Sequence, residues 1–249
     1  MALEQVDAVL FDMGGTLVDY PLPSPPALVA RCLRGAFSFL VRPEGERLPP
    51  AATVPAPEVA RRRRRRAGPE TAIAHRAAIA MRRMIRAVSG QTLPQIAEAC
   101  LRPIVTDGRA YADTLSTLRA LRERGYRLGL VSNTPWGTPD YLWEQQTGKF
   151  GLAAFLEVRL FSSEVGVRKP NPRIFLEALG RLGVPPARAL FVGDTPAEDI
   201  AGAVRAGMRA ALVVRGERFP DACRCPADLR ISSLQDLLEH LPPLTRKNS

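Results

Sequence analysis

Residues 11–17 read Phe-Asp-Met-Gly-Gly-Thr-Leu and directly follow a short apolar run that ends at Phe11. The pattern predicts a buried strand over Val6–Phe11, with Asp12 as the first polar residue beyond it. A carboxylate in this position can act as a nucleophile, and the backbone N–H groups of a glycine-rich turn can line a pocket for an anion. Asp12 is therefore the first candidate functional residue.

The chain after residue 108 alternates short apolar runs with amphipathic stretches of helical length. Alternation of this kind predicts an α/β protein with a doubly wound parallel sheet, whose ligands bind beyond the carboxyl ends of the strands. The predicted strands are Val6–Phe11, Arg127–Ser132, Val158–Ser162, Ala189–Val192, Ala210–Val214 and Leu229–Ile231. The predicted helices between them are Asp113–Arg124, Pro139–Thr147, Pro172–Leu182, Pro196–Ala206 and Leu234–His240.

Polar residues stand at four of these predicted strand ends, or shortly after them. Asp12 follows the first strand, and Ser132 and Asn133 follow the second. Lys169 lies in the sequence Gly-Val-Arg-Lys-Pro, and Asp194 opens the sequence Gly-Asp-Thr-Pro-Ala-Glu-Asp after a Leu-Phe-Val run. Each signal alone is more typical of a turn or a cap. Their order along one chain makes them a candidate site.

Together these segments resemble motifs I to IV of the haloacid dehalogenase (HAD) superfamily, in its phosphatase-like branch. The resemblance implies a Rossmann-like HAD core formed by residues 1–19 and 108–249. It also implies a C1-type helical cap inserted after the first strand, over residues 20–107. Within that insert, residues 42–69 are rich in proline and contain the run Arg61–Arg66, which predicts a flexible segment. Helical patterns flank it at Ala27–Val41, Thr71–Val88 and Leu93–Leu101.

The resemblance assigns roles to particular residues. It implies a hydrolase that cleaves phosphate esters or anhydrides through an aspartyl-phosphate on Asp12, with Mg²⁺ as the cofactor. The catalytic residues are then Asp12, Ser132 and Lys169. The phosphate-binding residues are Gly14, Gly15, Thr16, Ser132, Asn133 and Lys169, and the metal ligands are Asp12, the main chain of Gly14, Asp194 and Asp199.

Gly14 departs from the pattern, because motif I of the superfamily carries a second aspartate at this position. That side chain protonates the leaving group and later activates water, a contribution typically worth about 10²–10⁴-fold. A phosphatase restricted to good leaving groups accommodates the change. So does one whose acid comes from another residue; Asp19, Tyr20, Glu70 and His75 are the nearest in sequence, each expected to be a surface or capping residue.

Two other interpretations remain open. A non-catalytic module that binds a phosphate ligand or a partner would not need the second aspartate. A 2-haloacid dehalogenase also lacks it, but Asp194 and Asp199 argue against this activity, because dehalogenases of the superfamily do not use Mg²⁺.

Composition narrows the possible partners. The net charge is +10, of which the arginine run contributes six charges. No aromatic residues interleave with that run to stack on bases, so nucleic-acid binding is not expected as the main function. Four cysteines and two histidines do not form a zinc or disulfide pattern. We expect a cytoplasmic protein that acts on a small phosphorylated substrate, without a membrane span.

Overall fold

A computed structural model describes residue 3 and residues 5–21, 32, 97–99, 101–102, 105–134, 138–215 and 225–245. The chain divides into two compact units, one formed by Met1–Tyr20 with Gly108–Ser249 and the other by Pro21–Asp107. The arginine run and the predicted helix Thr71–Val88 lie outside the described residues, as do Glu70 and His75. In the second unit residues 97–99 and 101–102 are helical, within the predicted stretch Leu93–Leu101 or one residue beyond it. The role of residues 20–107 as a cap stays a prediction.

The first unit is built on a six-stranded parallel sheet, as the sequence predicts. Its strands are β1 (Ala8–Phe11), β4 (Arg127–Ser132), β5 (Val158–Phe161), β6 (Ala189–Gly193), β7 (Arg209–Val213) and β8 (Leu229–Ile231). They lie in the order β5-β4-β1-β6-β7-β8. A separate antiparallel pair, β2 (Val18–Asp19) with β3 (Arg109–Ala110), was not foreseen because each strand has only two residues.

Helices connect the strands of the large sheet. They are α1 (Thr114–Glu123), α2 (Asp140–Lys149), α3 (Ser162–Val165), α4 (Pro172–Leu182), α5 (Ala201–Arg205) and α6 (Leu237–His240). The longest, α4, begins where the side chain of Asn171 caps the N–H of Arg173, and it ends at Gly183, whose φ of 63° suits glycine. The one-turn helix α3 was not predicted, since four residues show no helical period.

The predicted helix Pro196–Ala206 differs in one respect, because it starts with a π turn over Pro196–Ile200 before it continues as α5. Within this turn the backbone N–H of Asp199 donates to Thr195 O at 2.8 Å, and the carboxylate of Asp199 accepts from the N–H of Thr195 at 2.9 Å. Such turns occur often at functional sites. Here the turn positions the carboxylate of Asp199, a residue of motif IV.

The core lies on both faces of the sheet, since β1 and β6 are buried along their whole length. One cluster packs α4 and α5 against the sheet through buried side chains that include Phe175, Phe191, Leu179 and Ile200. Continuous apolar strands of this kind are typical of parallel sheets covered by helices on both sides. No helix in the described ranges is long and apolar enough to cross a membrane.

Candidate active site

The strand order creates a crevice at the carboxyl ends of β1 and β6. The strands β4 and β5 extend the sheet from β1 towards one edge, whereas β7 and β8 extend it from β6 towards the opposite edge. Ligands of doubly wound sheets bind at such a switch point. Phe11 pairs in register with Leu130 of β4 and with Val192 of β6. The residues just beyond these strands therefore meet at one edge of the sheet.

The loop after β1 folds back tightly around Asp12. The N–H of Asp12 donates to Val192 O at 2.9 Å, and the N–H of Gly15 donates to Val18 O at 2.8 Å. Gly15 has a φ of 86°, a left-handed conformation that favours glycine. Gly14 does not have such a φ, so its backbone would accept a side chain.

Asp113 and Arg215 anchor the loop that follows β1. The guanidinium of Arg215 donates to Thr16 O at 3.2 Å and to both carboxylate oxygens of Asp113 at 2.8 and 3.0 Å. Asp113 also accepts from the hydroxyl of Ser233 and the N–H of Leu234, each at 2.8 Å. Burial alone would raise the pKa of Asp113, but these hydrogen bonds outweigh it and hold the pKa below its usual value.

Lys169 is the central cation of the site and is 3% exposed. Its ammonium forms ion pairs with Asp12 and, at 2.8 Å, with Asp199 Oδ1, and it donates to Val131 O at 3.0 Å. Burial alone would lower the pKa of Lys169, but the carboxylates of Asp12 and Asp199 raise it above its ordinary value. Lys169 therefore stays charged at neutral pH.

The side chain of Asn133 positions Lys169 through its main chain. Asn133 Oδ1 accepts from the N–H of Lys169 at 2.8 Å, and Nδ2 donates to the carbonyl of Lys169 at 3.2 Å. Nδ2 also donates to Glu198 Oε2 at 2.8 Å. The side-chain amide is thus engaged with protein groups, and the contact of Asn133 with phosphate stays a prediction. Glu198 was missed, because nothing in the sequence marks it as a partner of Asn133.

Three buried carboxylates converge at the site. One oxygen atom from each of Asp12, Asp194 and Asp199 lies within 4.8 Å of the others. Burial, together with the charges of Asp199 and Asp194, raises the pKa of Asp12 above its ordinary value, although Lys169 acts in the opposite direction. One lysine among three carboxylates leaves an excess of negative charge, and carboxylate oxygens are ligands suited to a divalent cation. The residues present therefore fit the Mg²⁺ that the family resemblance implies.

Gly193 permits the close approach of Asp199. A Cβ atom at position 193 would lie 2.4 Å from Asp199 Oδ2 and 2.5 Å from its Cβ and Cγ atoms. Any side chain here would displace Asp199 from Lys169. The glycine of motif IV is thus explained by packing against the carboxylate that follows it in the π turn.

The remaining predicted residues occupy the same edge of the sheet. Ser132 ends β4 and is 7% exposed, directly after Val131, whose carbonyl accepts from Lys169. Thr16 is fully buried in the loop after β1. Their contact with phosphate stays a prediction, as do the metal contacts of Asp194, Asp199 and the main chain of Gly14.

Tyr20 corrects an expectation, because it is 8% exposed and not a surface residue. A Cβ atom at position 14 would lie 3.5 Å from Cδ2 of the Tyr20 ring, an ordinary van der Waals contact. Burial, followed by the charge of Asp12, raises the pKa of Tyr20 above its ordinary value. The aromatic ring therefore lies beside the position where motif I lacks its second aspartate.

Comparisons with known proteins identify the family of this chain. A family model described as haloacid dehalogenase-like hydrolase matches residues 6–207. A glyceraldehyde 3-phosphate phosphatase of Methanopyrus kandleri is 43% identical over 109 residues, which cover 44% of this chain and 45% of that protein. A phosphoserine phosphatase of Thermus thermophilus is 42% identical over 127 residues, which cover 51% of this chain and 49% of that protein. The chain thus spans about half the length of these curated relatives.

A solved structure shows similarity over nearly the whole chain. It is described as a HAD phosphatase from Thermococcus onnurineus, and it superposes with a TM-score of 0.62 at 22% identity, covering 96% of this chain and 100% of that one. At this identity the likeness concerns the fold.

Proposed function

The chain belongs to the haloacid dehalogenase-like hydrolase family, and we propose that it hydrolyses small phosphate esters or anhydrides through an aspartyl-phosphate on Asp12. The observation that carries the proposal is the buried cluster in which Lys169 pairs with Asp12 and Asp199, with Asp194 within reach of a shared cation. A nucleophile, a fixed cation and a set of metal-binding oxygens are the parts that phosphoryl transfer requires.

The named relatives support a small phosphorylated substrate. The names of two of them specify phosphatase activity on glyceraldehyde 3-phosphate and on phosphoserine. Both are small molecules with a phosphate on an alkyl oxygen. We extend only the class, a small phosphate compound, to this chain.

The carboxylates of Asp12, Asp194 and Asp199, with the main-chain carbonyl of Gly14, would hold Mg²⁺. When bound, the ion neutralises charge on Asp12 and on the phosphate oxygens. Lys169 supplies a second, fixed positive charge and keeps one Asp12 oxygen in place. The ion pair with Asp199 orients the ammonium beside Asp12.

The chain's own groups then act in a simple order. An Asp12 oxygen attacks phosphorus, the bond from phosphorus to the leaving oxygen breaks, and the leaving oxygen keeps the electron pair. The hydroxyl of Ser132, the ammonium of Lys169 and the N–H group of Thr16 donate to the phosphate oxygens. Water finally cleaves the acyl phosphate and restores the carboxylate of Asp12.

Gly14 limits which substrates can react. Without a carboxyl group at this position, an alkoxide would leave unprotonated, at a cost of about 10²–10⁴-fold in rate. The aryloxide and carboxylate groups that leave from aryl and acyl phosphates are weaker bases, so the rate falls less when they leave unprotonated. We therefore propose that the protein prefers substrates with good leaving groups.

Gly14 also supports a second candidate function, a non-catalytic module that binds a phosphate ligand. The two candidates make opposite predictions for an aryl phosphate. A phosphatase hydrolyses it in a manner that depends on Mg²⁺ and is lost in Asp12→Asn. A binding module shows no turnover in the native protein or in Asp12→Asn, and it gains turnover only in Gly14→Asp. The Cβ atom of that aspartate would fit 3.5 Å from Cδ2 of Tyr20.

The test is turnover of para-nitrophenyl phosphate with and without Mg²⁺ by the native protein, Asp12→Asn and Gly14→Asp. Turnover by the native protein that requires both Mg²⁺ and Asp12 supports the phosphatase. Native turnover that persists in Asp12→Asn contradicts the proposed nucleophile. Release of halide from a 2-haloacid, independent of metal and lost in Asp12→Asn, would show a dehalogenase instead.

A further inference from the structure

The hydroxyl of Tyr20 is a buried polar group without a hydrogen-bond partner among the described residues. Buried tyrosine hydroxyls normally find a partner, as Tyr126 does when it donates to Pro242 O at 2.7 Å. A phenylalanine would fill the same space without leaving a polar atom unsatisfied. The hydroxyl at position 20 therefore calls for a functional explanation.

The ring of Tyr20 lies between two glycines and contacts two aromatic side chains. On one edge it faces Gly14, as described above, and on the other a Cβ atom at position 108 would lie 2.7 Å from Cε1. Trp143 and Phe150 contact the ring edge to face, with centroid distances of 6.2 and 6.3 Å. Gly108 leaves space for the ring, and the aromatic contacts restrict its motion.

The phenol of Tyr20 is protonated at neutral pH. The ordinary pKa of a tyrosine hydroxyl is about 10, well above neutrality. A phenol near the nucleophile that does not ionise is a hydrogen-bond donor at neutral pH. Its free O–H group fits an acceptor that arrives with the substrate.

We propose that Tyr20 is a catalytic residue whose hydroxyl donates a hydrogen bond to the leaving oxygen of the phosphate compound. The inference rests on the proposed phosphatase function and adds to it. As the bond from Asp12 to phosphorus forms and the bond to the leaving oxygen breaks, that oxygen keeps the electron pair and gains negative charge. The O–H of Tyr20 stabilises this charge and keeps its proton, and the released oxyanion takes a proton from solvent.

This role differs from that of the aspartate that motif I lacks. A hydrogen bond stabilises the developing charge without neutralising it, so its contribution grows with the basicity of the leaving oxygen but stays below that of full proton transfer. Tyr20 therefore offsets part of the loss that Gly14 causes for aryl phosphates.

The test compares native protein with Tyr20→Phe on two substrates that differ in leaving-group basicity. We expect kcat/KM to fall about 10-fold with para-nitrophenyl phosphate and about 100-fold with phenyl phosphate, whose leaving oxygen gathers more charge in the transition state. The melting temperature of Tyr20→Phe should equal or exceed that of the native protein, because the hydroxyl lost has no partner in the described structure. Tyr141→Phe is the matched control, since Tyr141 is 41% exposed on α2.

A second variant perturbs Tyr20 without changing its chemistry. In Gly108→Ala the new methyl group would displace the ring, so the same dependence on the leaving group should appear. Equal losses on both substrates, or no loss in Tyr20→Phe, overturn the role of Tyr20. If the native protein hydrolyses neither substrate, the proposed function fails and this inference with it. If native turnover requires Asp12 but ignores Tyr20, only this inference fails.

Discussion

Replacement of Asn133 by alanine tests whether this side chain controls the position of Lys169. The substitution removes three hydrogen bonds, two to the main chain of Lys169 and one to Glu198. At a net value of about 0.5–1.5 kcal/mol each, their loss lowers the free energy of unfolding by roughly 2–4 kcal/mol. For a protein of this size that corresponds to a decrease in melting temperature of roughly 4–16 °C.

The effect on activity should exceed the effect on stability. Lys169 must keep its ammonium between Asp12 and Asp199, and a displacement of about 1 Å in an active site can cost about 10²-fold. We expect kcat/KM for an aryl phosphate to fall by about this factor at 25 °C, where Asn133→Ala is still folded. Thermal unfolding followed by circular dichroism and steady-state kinetics on the same preparation give both numbers.

Asn171→Ala is the matched control for this prediction. Asn171 lies two residues after Lys169, and its side chain accepts one hydrogen bond, from the N–H of Arg173 at 3.0 Å. Loss of this helix cap should cost about 1 kcal/mol and leave kcat/KM unchanged. If Asn133→Ala and Asn171→Ala lose activity equally, or if Asn133→Ala is fully active, the positioning role is refuted.

Three further predictions concern stability, packing and metal. Asp113→Asn should lower the free energy of unfolding by about 1–3 kcal/mol at neutral pH. Because the pKa of Asp113 is lowered in the folded state, this deficit should shrink as pH falls below the usual aspartate value of about 4. Chemical denaturation at several pH values would contradict the prediction if the deficit stayed constant. Gly193→Ala should abolish turnover while far-ultraviolet circular dichroism stays native, because its Cβ would collide with Asp199; full activity would refute this packing. Mg²⁺ at about 100 times its Kd should raise the melting temperature by roughly 5–10 °C, and an equal rise in Asp194→Asn would argue against the carboxylate site.

Much of the fold could be predicted from the sequence, because strong local signals coincide with the elements. Strands such as Arg127–Ser132 contain a buried run of apolar residues and glycine, and α4 carries its own cap, proline and terminal glycine. The π turn at Pro196–Ile200 could not be predicted, because it depends on tertiary contacts of Asp199 with Lys169 and Thr195. The β2–β3 pair depends on residues some 90 positions apart and has no periodic pattern to detect.

The candidate site could likewise be predicted from the sequence only in part. Motif spacing predicts that Asp12, Lys169, Asp194 and Asp199 belong together, and the structure brings their side chains together. The burial of Tyr20 could not be deduced, because it requires two glycines that are far apart in sequence to flank one ring. The engagement of Asn133 with Lys169 likewise joins two loops that only the folded sheet brings together.

The most direct measurement of the central claim is the capture of a covalent phosphate on Asp12. Rapid acid quench of the native protein with acetyl phosphate and Mg²⁺, followed by peptide mass spectrometry, should show phosphate on Asp12 in a burst that precedes steady turnover. The burst is expected because Gly14 offers no carboxylate to activate water against the intermediate. Asp12→Asn should show neither phosphopeptide nor turnover. Steady turnover by the native protein without any phosphate on Asp12 would contradict the account.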